Sequence, residues 1–479
     1  MRTAKNYING QWVAGSGPAH KIHSPSSGNA IGEVTFADGA DIDAAVAAAR
    51  EAFPGWRDTP IPERIRYLFA LREKMNAAFD DLARTIVEDE GKTIEDARGE
   101  VRRGLENVEV ACGAPLLMSG ESLDSIAPGI DSTVTFYPLG VSVIIGPFNF
   151  PLMVPMWFLP YAIACGNTVV VKPSEQVPLA MIEFMRLLDQ VGLPPGVVNL
   201  VNGGRETVEA LVEHPDVESV SFVGSEAVAR RVYQLATSHG KRAQCLGGAK
   251  NYLVVMPDAD VEQTRSAVVA SAFGGAGERC LAGSVLVPVG EGSRLGEVRD
   301  AVIESASAIR VGDGLDPSNQ LGPVVSRDHQ TRVLQHIDTA IGDGASALLD
   351  GRSYTSQPGY YIGPTVLDGV SPDQDFAGTE VFGPVLGVMH APTVEDALTA
   401  ISRTRYGNAA SIFTSSGRSA REFIRSVPCG MVGVNVGVAA PMAYFPFTGW
   451  RQSFFGDLQA QGRDSIRFFT RPRVAITRW

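Results

Sequence analysis

Cys280 stands in Gly274-Gly275-Ala276-Gly277-Glu278-Arg279-Cys280-Leu281-Ala282-Gly283, a glycine-rich bend that sets an arginine beside a thiol. A neighbouring cation and backbone N–H groups favour thiolate over thiol, the form a nucleophile needs near neutral pH. The alternative is a small buried hydrophobe, although the glycines would let a ligand approach the backbone closely. Asn149 follows an apolar run, in Gly146-Pro147-Phe148-Asn149-Phe150-Pro151. An amide at a strand's carboxyl end can donate to a developing oxyanion, unless Asn-Phe-Pro simply makes a turn. Lys172 and Glu175, three apart at the end of another apolar run, suit ribose hydroxyls or else a solvated loop. Phe222-Val223-Gly224-Ser225 leads into Glu226–Leu235, whose helical amino terminus suits a pyrophosphate, though the full G-x-G-x-x-G is missing.

Other chemistries lack their residues. Gly91-Lys92-Thr93 imitates the end of a P-loop, but Ile86 stands where the first glycine is required. There is no H-E-x-x-H and no G-x-S-x-G, and the seven histidines are scattered, which argues against metal-dependent hydrolysis and serine-esterase chemistry. Met153, Met156, Trp157 and Phe158 read as core packing. The five cysteines, at 112, 165, 245, 280 and 429, form no C-x-x-C pair, so a reducing cytoplasm is expected. The amino-terminal residues have no apolar run of the secretory type.

The elements that must position these residues are legible as runs. Asn6–Val13 reads as a hairpin around Asn9-Gly10, and helices are expected from Asp41 to about Phe53, Glu63 to Ala77 and Asp81 to Glu90. From Gly140, short β-branched runs alternate with helices: Val141–Ile145, Thr168–Val171, Val197–Val201 and Val217–Val223. Such alternation implies βαβ units and a parallel sheet. A second alternating block, about Tyr252 to Arg425, has strands near Tyr252–Met256 and Ser284–Val289. Its helices are expected near Val261–Phe273, Arg294–Ile309 and Asp328–Ile341. Leu152–Val171 is membrane-like, but Pro155, Pro160, Gly166 and Asn167 make it a buried helix followed by a strand. Thr133–Tyr137 reads as an exposed strand, and Ser465–Trp479 as a last strand broken at Pro472.

A chain of 479 residues, 44% hydrophobic, allows two to four domains or one large α/β unit. A net charge of −12 is the wrong sign for nucleic acid or an anionic membrane, which leaves small molecules as the expected partners.

In this order, Gly146–Pro151, Lys172–Glu175, Phe222–Ser225, Leu246-Gly247-Gly248, Cys280 and Glu380-Val381-Phe382-Gly383-Pro384 resemble the aldehyde dehydrogenase superfamily. The resemblance implies a Rossmann-like NAD-binding domain, a second α/β catalytic domain and a β oligomerisation arm. It implies that Cys280 attacks an aldehyde, that Asn149 and the Cys280 N–H stabilise the oxyanion, and that hydride passes to NAD. Lys172 and Glu175 would hold the adenine ribose, and Glu380 the nicotinamide ribose. Phe148, Gly224, Ser225 and Phe382 would lie along the cofactor. A carboxylate at 175 accepts from a 2′-hydroxyl and repels a 2′-phosphate, which favours NAD.

Hydrolytic members carry Glu before Leu-Gly-Gly to activate water against the thioester; Cys245 occupies that place here. The chain is most similar to the CoA-acylating methylmalonate-semialdehyde dehydrogenases, which also lack that Glu. The likeness extends through Arg103-Gly104-Leu105-Glu106, Gly248-Ala249-Lys250-Asn251, Glu278-Arg279-Cys280 and Phe445–Trp450. It implies that Arg103 and Arg279 hold a substrate carboxylate and that CoA is a co-substrate. A thiol at 245 departs from both patterns.

The expected division is 1–119 and 139–245 for NAD binding, 246–430 for catalysis, 431–460 returning to the first domain, and 120–138 with 461–479 as the arm. Apolar residues on that arm predict a homo-oligomer, dimer or tetramer. A hydrolytic dehydrogenase releasing free acid, and a cysteine acyltransferase or thioesterase without redox activity, are the competing readings.

Overall fold

A computed structural model of the chain describes residues 2–290 and 293–479. Five runs rich in β-branched or apolar residues form the centre of an eight-stranded sheet: Val141–Ile145, Thr168–Lys172, Val198–Leu200, Val217–Gly224 and Arg242–Gly247. They pair in parallel and are covered on both faces, which is why they read as continuous apolar runs rather than alternating ones. Across the sheet the order is 242–247, 217–224, 141–145, 168–172, 198–200. It therefore reverses between 141–145 and 217–224. A crevice opens at the carboxyl ends of strands at such a reversal. Phe454–Phe455 closes one edge, and the hairpin Asn6–Ile8 with Gln11–Val13 closes the other. Asn9 and Gly10 have φ of 51° and 77°, the signs a two-residue primed turn requires.

The second sheet has seven strands. Asn251–Val255, Gly283–Pro288, Thr365–Asp368, Val385–Val388, Ala409–Phe413 and Met431–Val434 are parallel, and Ser346–Leu349 is an antiparallel edge. The loops around Cys280 and Glu380 enter this sheet at the amino ends of strands 283–288 and 385–388. The site thus lies between the carboxyl ends of one sheet and the amino ends of the other.

A helical layer covers the first sheet. In Ile94–Ala111 the side chain of Thr93 caps the helix by accepting from Asp96 N, and Ala97, Val101, Leu105 and Val108 are buried along one face. The same helix carries Glu100 and Arg103. Val261–Phe273 matches its expected bounds, and Gly39–Asp58 starts with a capping box from Asp38 and continues past Pro54.

Several elements differ from the sequence reading. Leu152–Val171 holds two short helices, Met153–Met156 and Leu159–Cys165, because Pro160 starts a new turn. Residues 120–138 form a hairpin, Glu121–Ala127 and Ile130–Pro138, which Thr470–Arg478 extends to three strands. That last strand is not broken at Pro472, which pairs with Phe136; it is an edge strand, where a missing N–H is tolerated. Gly462–Phe468 is a helix, with Ser465 Oγ donating to Trp157 O, so the arm receives only 470–478 from the carboxyl end. Met431–Val434 belongs to the second sheet, which puts the return crossing after 434 rather than at 431. A three-stranded sheet of Arg2–Ala4, Ala19–His23 and Ala30–Thr35 was not anticipated. Among the described residues no helix is long and apolar enough to cross a membrane.

Candidate active site

Two cavities meet at Cys280. One, of about 760 Å³, lies at the carboxyl ends of the first sheet under Glu380–Phe382; the other, of about 280 Å³, lies between the helix 94–111 and the segment 438–447. Cys280, Trp157 and Phe447 line both. The Trp157 and Phe447 rings stack at 4.5 Å, and Trp157 Nε1 is buried without a hydrogen-bond partner.

The main chain at Cys280 is held by amides from two strand starts. Asn251 Nδ2 and Asn408 Nδ2 each donate to the Cys280 carbonyl oxygen at 2.8 Å. Gly277, at φ 71°, brings the cysteine loop so close to the 380–384 loop that a Cβ there would stand 2.1 Å from Gly383 O. Across the same seam, His329 Nε2 lies 2.7 Å from Phe382 O and 3.3 Å from Glu278 Oε1. Asn149, 5% exposed, donates through Nδ2 to Glu278 O at 2.8 Å, which leaves its second amide hydrogen free of that bond.

The expectation that Arg279 makes Cys280 a thiolate is corrected here. Burial, and then the Glu380 carboxylate, push the thiol up to about 12, and backbone N–H groups and Arg279 offset this only in part. The Arg279 guanidinium is turned to the Ala270 carbonyl, and its Nε is buried without a partner. Arg103 Nη1 bonds Glu106 Oε2 at 3.1 Å. Both arginines line the smaller cavity.

In the larger cavity, Lys172 Nζ bonds Glu175 Oε2 at 2.9 Å. Burial would raise the Glu175 carboxyl, but the Lys172 charge and hydrogen bond outweigh it and hold it below its ordinary range. Phe148 packs edge-on against Phe382 at 5.8 Å. Ser225 begins the helix Glu226–Ser238 without capping it through its side chain, so its hydroxyl stays available. At Gly224 a Cβ would strike the Phe222 ring at 2.5 Å. Gln176 Oε1 is buried and unpartnered on the same wall. An ionised carboxylate that accepts at a strand end, a helix amino terminus that donates and an aromatic ring together fit a dinucleotide. Glu380 is pushed up to about 7 by burial, against the Ala249 N–H and Lys250. Among the described residues no group of three or more His, Cys, Asp or Glu is placed to hold a metal.

The residues given a catalytic, substrate or cofactor role in the sequence reading, Cys280, Asn149, Arg103 and Arg279 among them, therefore all line one of the two cavities, and Cys245 does not. The sequence reading quoted Asn251 only within the motif Gly248-Ala249-Lys250-Asn251, without a role, and missed Asn408 and His329, which nothing local marks.

A family model described as "Aldehyde dehydrogenase family" matches residues 12–475. The chain belongs to the aldehyde dehydrogenase family. A malonate-semialdehyde dehydrogenase 1 of Oceanobacillus iheyensis is 47% identical over 99% of this chain and 98% of its own length. A malonate-semialdehyde dehydrogenase 3 of Geobacillus kaustophilus is 46% identical over 100% of this chain and 99% of its own. The crystal structure of a methylmalonate-semialdehyde dehydrogenase from Oceanimonas doudoroffii superposes with a TM-score of 0.98 at 42% identity, covering 100% of this chain and 99% of that one. A Sinorhizobium meliloti structure complexed with NAD also gives 0.98 at 42% identity, covering 100% and 98%.

This aldehyde dehydrogenase has no carboxylate at 245, and its Cys245 is a core residue. The side chain is 0% exposed in a cluster with Phe222, Ala229 and Val232, and it lines neither cavity. Burial pushes its thiol above the ordinary range, so it is no base at neutral pH. Cys245→Ala should leave turnover within about threefold of wild type. Cys245→Glu should bury an unpaired carboxylate, lower stability by about 3 kcal/mol or more, and add no water-dependent turnover. Thermal unfolding together with steady-state rates on both variants checks this; a stable Glu variant with faster acid release would contradict it.

Proposed function

We propose that the protein oxidises a short semialdehyde bearing a carboxylate, malonate or methylmalonate semialdehyde, with NAD, and passes the acyl group from Cys280 to CoA. The observation that carries the reading is the position of Cys280, at the junction of a cavity fitted to a dinucleotide and a smaller one lined by Arg103 and Arg279. The names of the relatives and the NAD in a homologous structure support the same substrate class and cofactor.

In this reading the Arg103 and Arg279 guanidinium groups take the distal carboxylate and set the aldehyde carbon over Cys280 Sγ. The Cys280 thiol gives its proton to solvent water in the cavity, the sulfur adds to that carbon, and the oxyanion receives hydrogen bonds from the Asn149 amide and the Cys280 N–H. NAD, when bound, supplies the acceptor for the hydride that leaves the carbon. Lys172 and Glu175 would hold its adenine ribose, Glu380 its nicotinamide ribose, and Phe148, Gly224, Ser225 and Phe382 its length. What remains on Cys280 is a thioester, and the core position of Cys245 leaves it without a carboxylate at that site to activate water. A CoA thiolate then attacks the acyl carbon, and Cys280 departs as the free thiolate.

The first sheet with its helical cover is the NAD-binding domain of this proposal, the second sheet the catalytic domain, and 121–138 with 470–478 the arm. Leu123, Val474, Ile476 and Trp479 are exposed on the arm, and pairing its edges with another subunit would cover them. Five free cysteines suit a reducing cytoplasm.

Cys280→Ala should abolish NADH formation while NAD still binds; turnover near wild type would refute the nucleophile. Arg103→Ala should cost about ten- to a hundredfold in kcat/KM on malonate semialdehyde and far less on propanal. Equal losses on both would make the arginine structural. Because a ribose hydroxyl donates to ionised Glu380, NAD affinity should be full above about pH 7 and weaken, up to about tenfold per pH unit, as pH falls below it. Fluorescence titration of NAD binding tests this, and Glu380→Gln should flatten the profile. Sedimentation should find at least a dimer at micromolar concentration; a 51.0 kDa monomer would count against the arm's role.

A further inference from the structure

The Gly91-Lys92-Thr93 that imitates a P-loop touches no nucleotide cavity; Lys92 and its partner Glu100 lie in the wall of the smaller one. Lys92 is 3% exposed beneath the loop that carries Asn149. Its Nζ donates to Glu100 Oε2 at 2.8 Å and to the main-chain carbonyl of Asn149 at 2.5 Å, and it lies 4.1 Å from the centre of the Phe150 ring. The other oxygen of Glu100 accepts from Leu152 N at 2.9 Å and Met153 N at 3.1 Å. Glu90 stands behind the pair, with Oε1 3.7 Å from Nζ and Oε2 accepting from Lys92 N.

One buried ion pair thus addresses residues 149, 150, 152 and 153, and supplies partners for a carbonyl and two N–H groups that this irregular segment leaves outside regular structure. Burial disfavours the Lys92 charge, but Glu100 and Glu90 outweigh it and keep the ammonium protonated. Replacing a buried ion pair by apolar side chains of equal volume is often neutral or stabilising, so what such a pair offers is geometry. The geometry it fixes ends at the reacting atoms, because the Asn149 side chain is tied at its far end to Glu278 O, two residues from Cys280. With the Asn149 main chain held by Lys92 and its amide held by Glu278, the second amide hydrogen has one direction left.

We infer that Lys92 and Glu100 are positioning residues that hold the Asn149 amide at the oxyanion formed over Cys280. The inference rests on the proposed role of Asn149 as oxyanion donor. Transition-state hydrogen bonding depends on donors placed before the charge appears. Losing the clamp should therefore lower the rate of the chemical step without changing ground-state binding.

The test is a double-mutant cycle between Lys92→Met and Asn149→Ala, read as kcat, aldehyde KM and NAD affinity. Lys92→Met alone should lower kcat about 10- to 100-fold, with KM and NAD affinity within about threefold. On the Asn149→Ala background the same change should cost less than about threefold, because the donor it positions is already gone. Equal losses on both backgrounds, or no loss on the wild type, would overturn the inference while leaving Asn149's role standing. Full activity of Asn149→Ala would overturn that role, and the inference with it. Should Lys92→Met not fold, Lys92→Met combined with Glu100→Gln keeps the acceptor for Leu152 and Met153, balances the charge and carries the same cycle. If neither folds, the pair is a stability element and the inference fails.

Discussion

Cys280 is desolvated and yet open to two cavities, a combination the fold achieves by closing a seam between two sheets. On the second sheet's side of the seam, Gly277 packs against Gly383, where the main chains leave no space for a Cβ. Around it the Cys280 carbonyl is bonded by Asn251 and Asn408 from the starts of two strands of the second sheet. The first sheet contributes Asn149 from the end of one of its strands. Asn251 and Asn408 stand at strand starts, whereas Asn149 lies on the segment after its strand and is held there by Lys92 and by its bond to Glu278 O. The two cavities follow from that seam, one on either side of the sulfur.

The same dryness sets the electrostatics. Desolvation dominates the shifts at Cys280, Glu380 and Glu278, and each of these groups is less willing to carry charge than it would be in water. Lys250, bonded to Thr379 O and pushed down to about 7 by burial, shows the corresponding effect on a cation. Charges that persist are paired, as at Lys92–Glu100 and Lys172–Glu175. At Cys280, burial and the Glu380 carboxylate outweigh the lowering effect of the backbone N–H groups and Arg279 on the thiol.

Much of the parallel-sheet layout was legible in the sequence because strands covered on both faces must be apolar throughout. Val141–Ile145 and Val217–Gly224 stand out for that reason, and the residues directly after them mark the crevice. Cys280 and Asn149 were legible because their local sequences are unusual. Asn408 was not, since it meets Cys280 across 128 residues of chain and carries no local mark. The role of Lys92 was not legible either: the sequence rejects a phosphate loop there, and only the packing of Ile94–Ala111 against residues 149–153 reveals its partners. The effect of Arg279 on the thiol was misjudged because adjacency in sequence carries no information about desolvation. Pro472 misled because only the sheet order shows that its strand lies on an edge.

The fate of the acyl group on Cys280 bears most directly on the account. Wild-type enzyme mixed with malonate semialdehyde and NAD should give a burst of NADH equal to the active sites, then slow turnover. Adding CoA should accelerate turnover, and mass analysis should find the acyl-CoA as the product. Equally fast turnover without CoA, with free acid as the only product, would contradict acyl transfer from Cys280 to CoA.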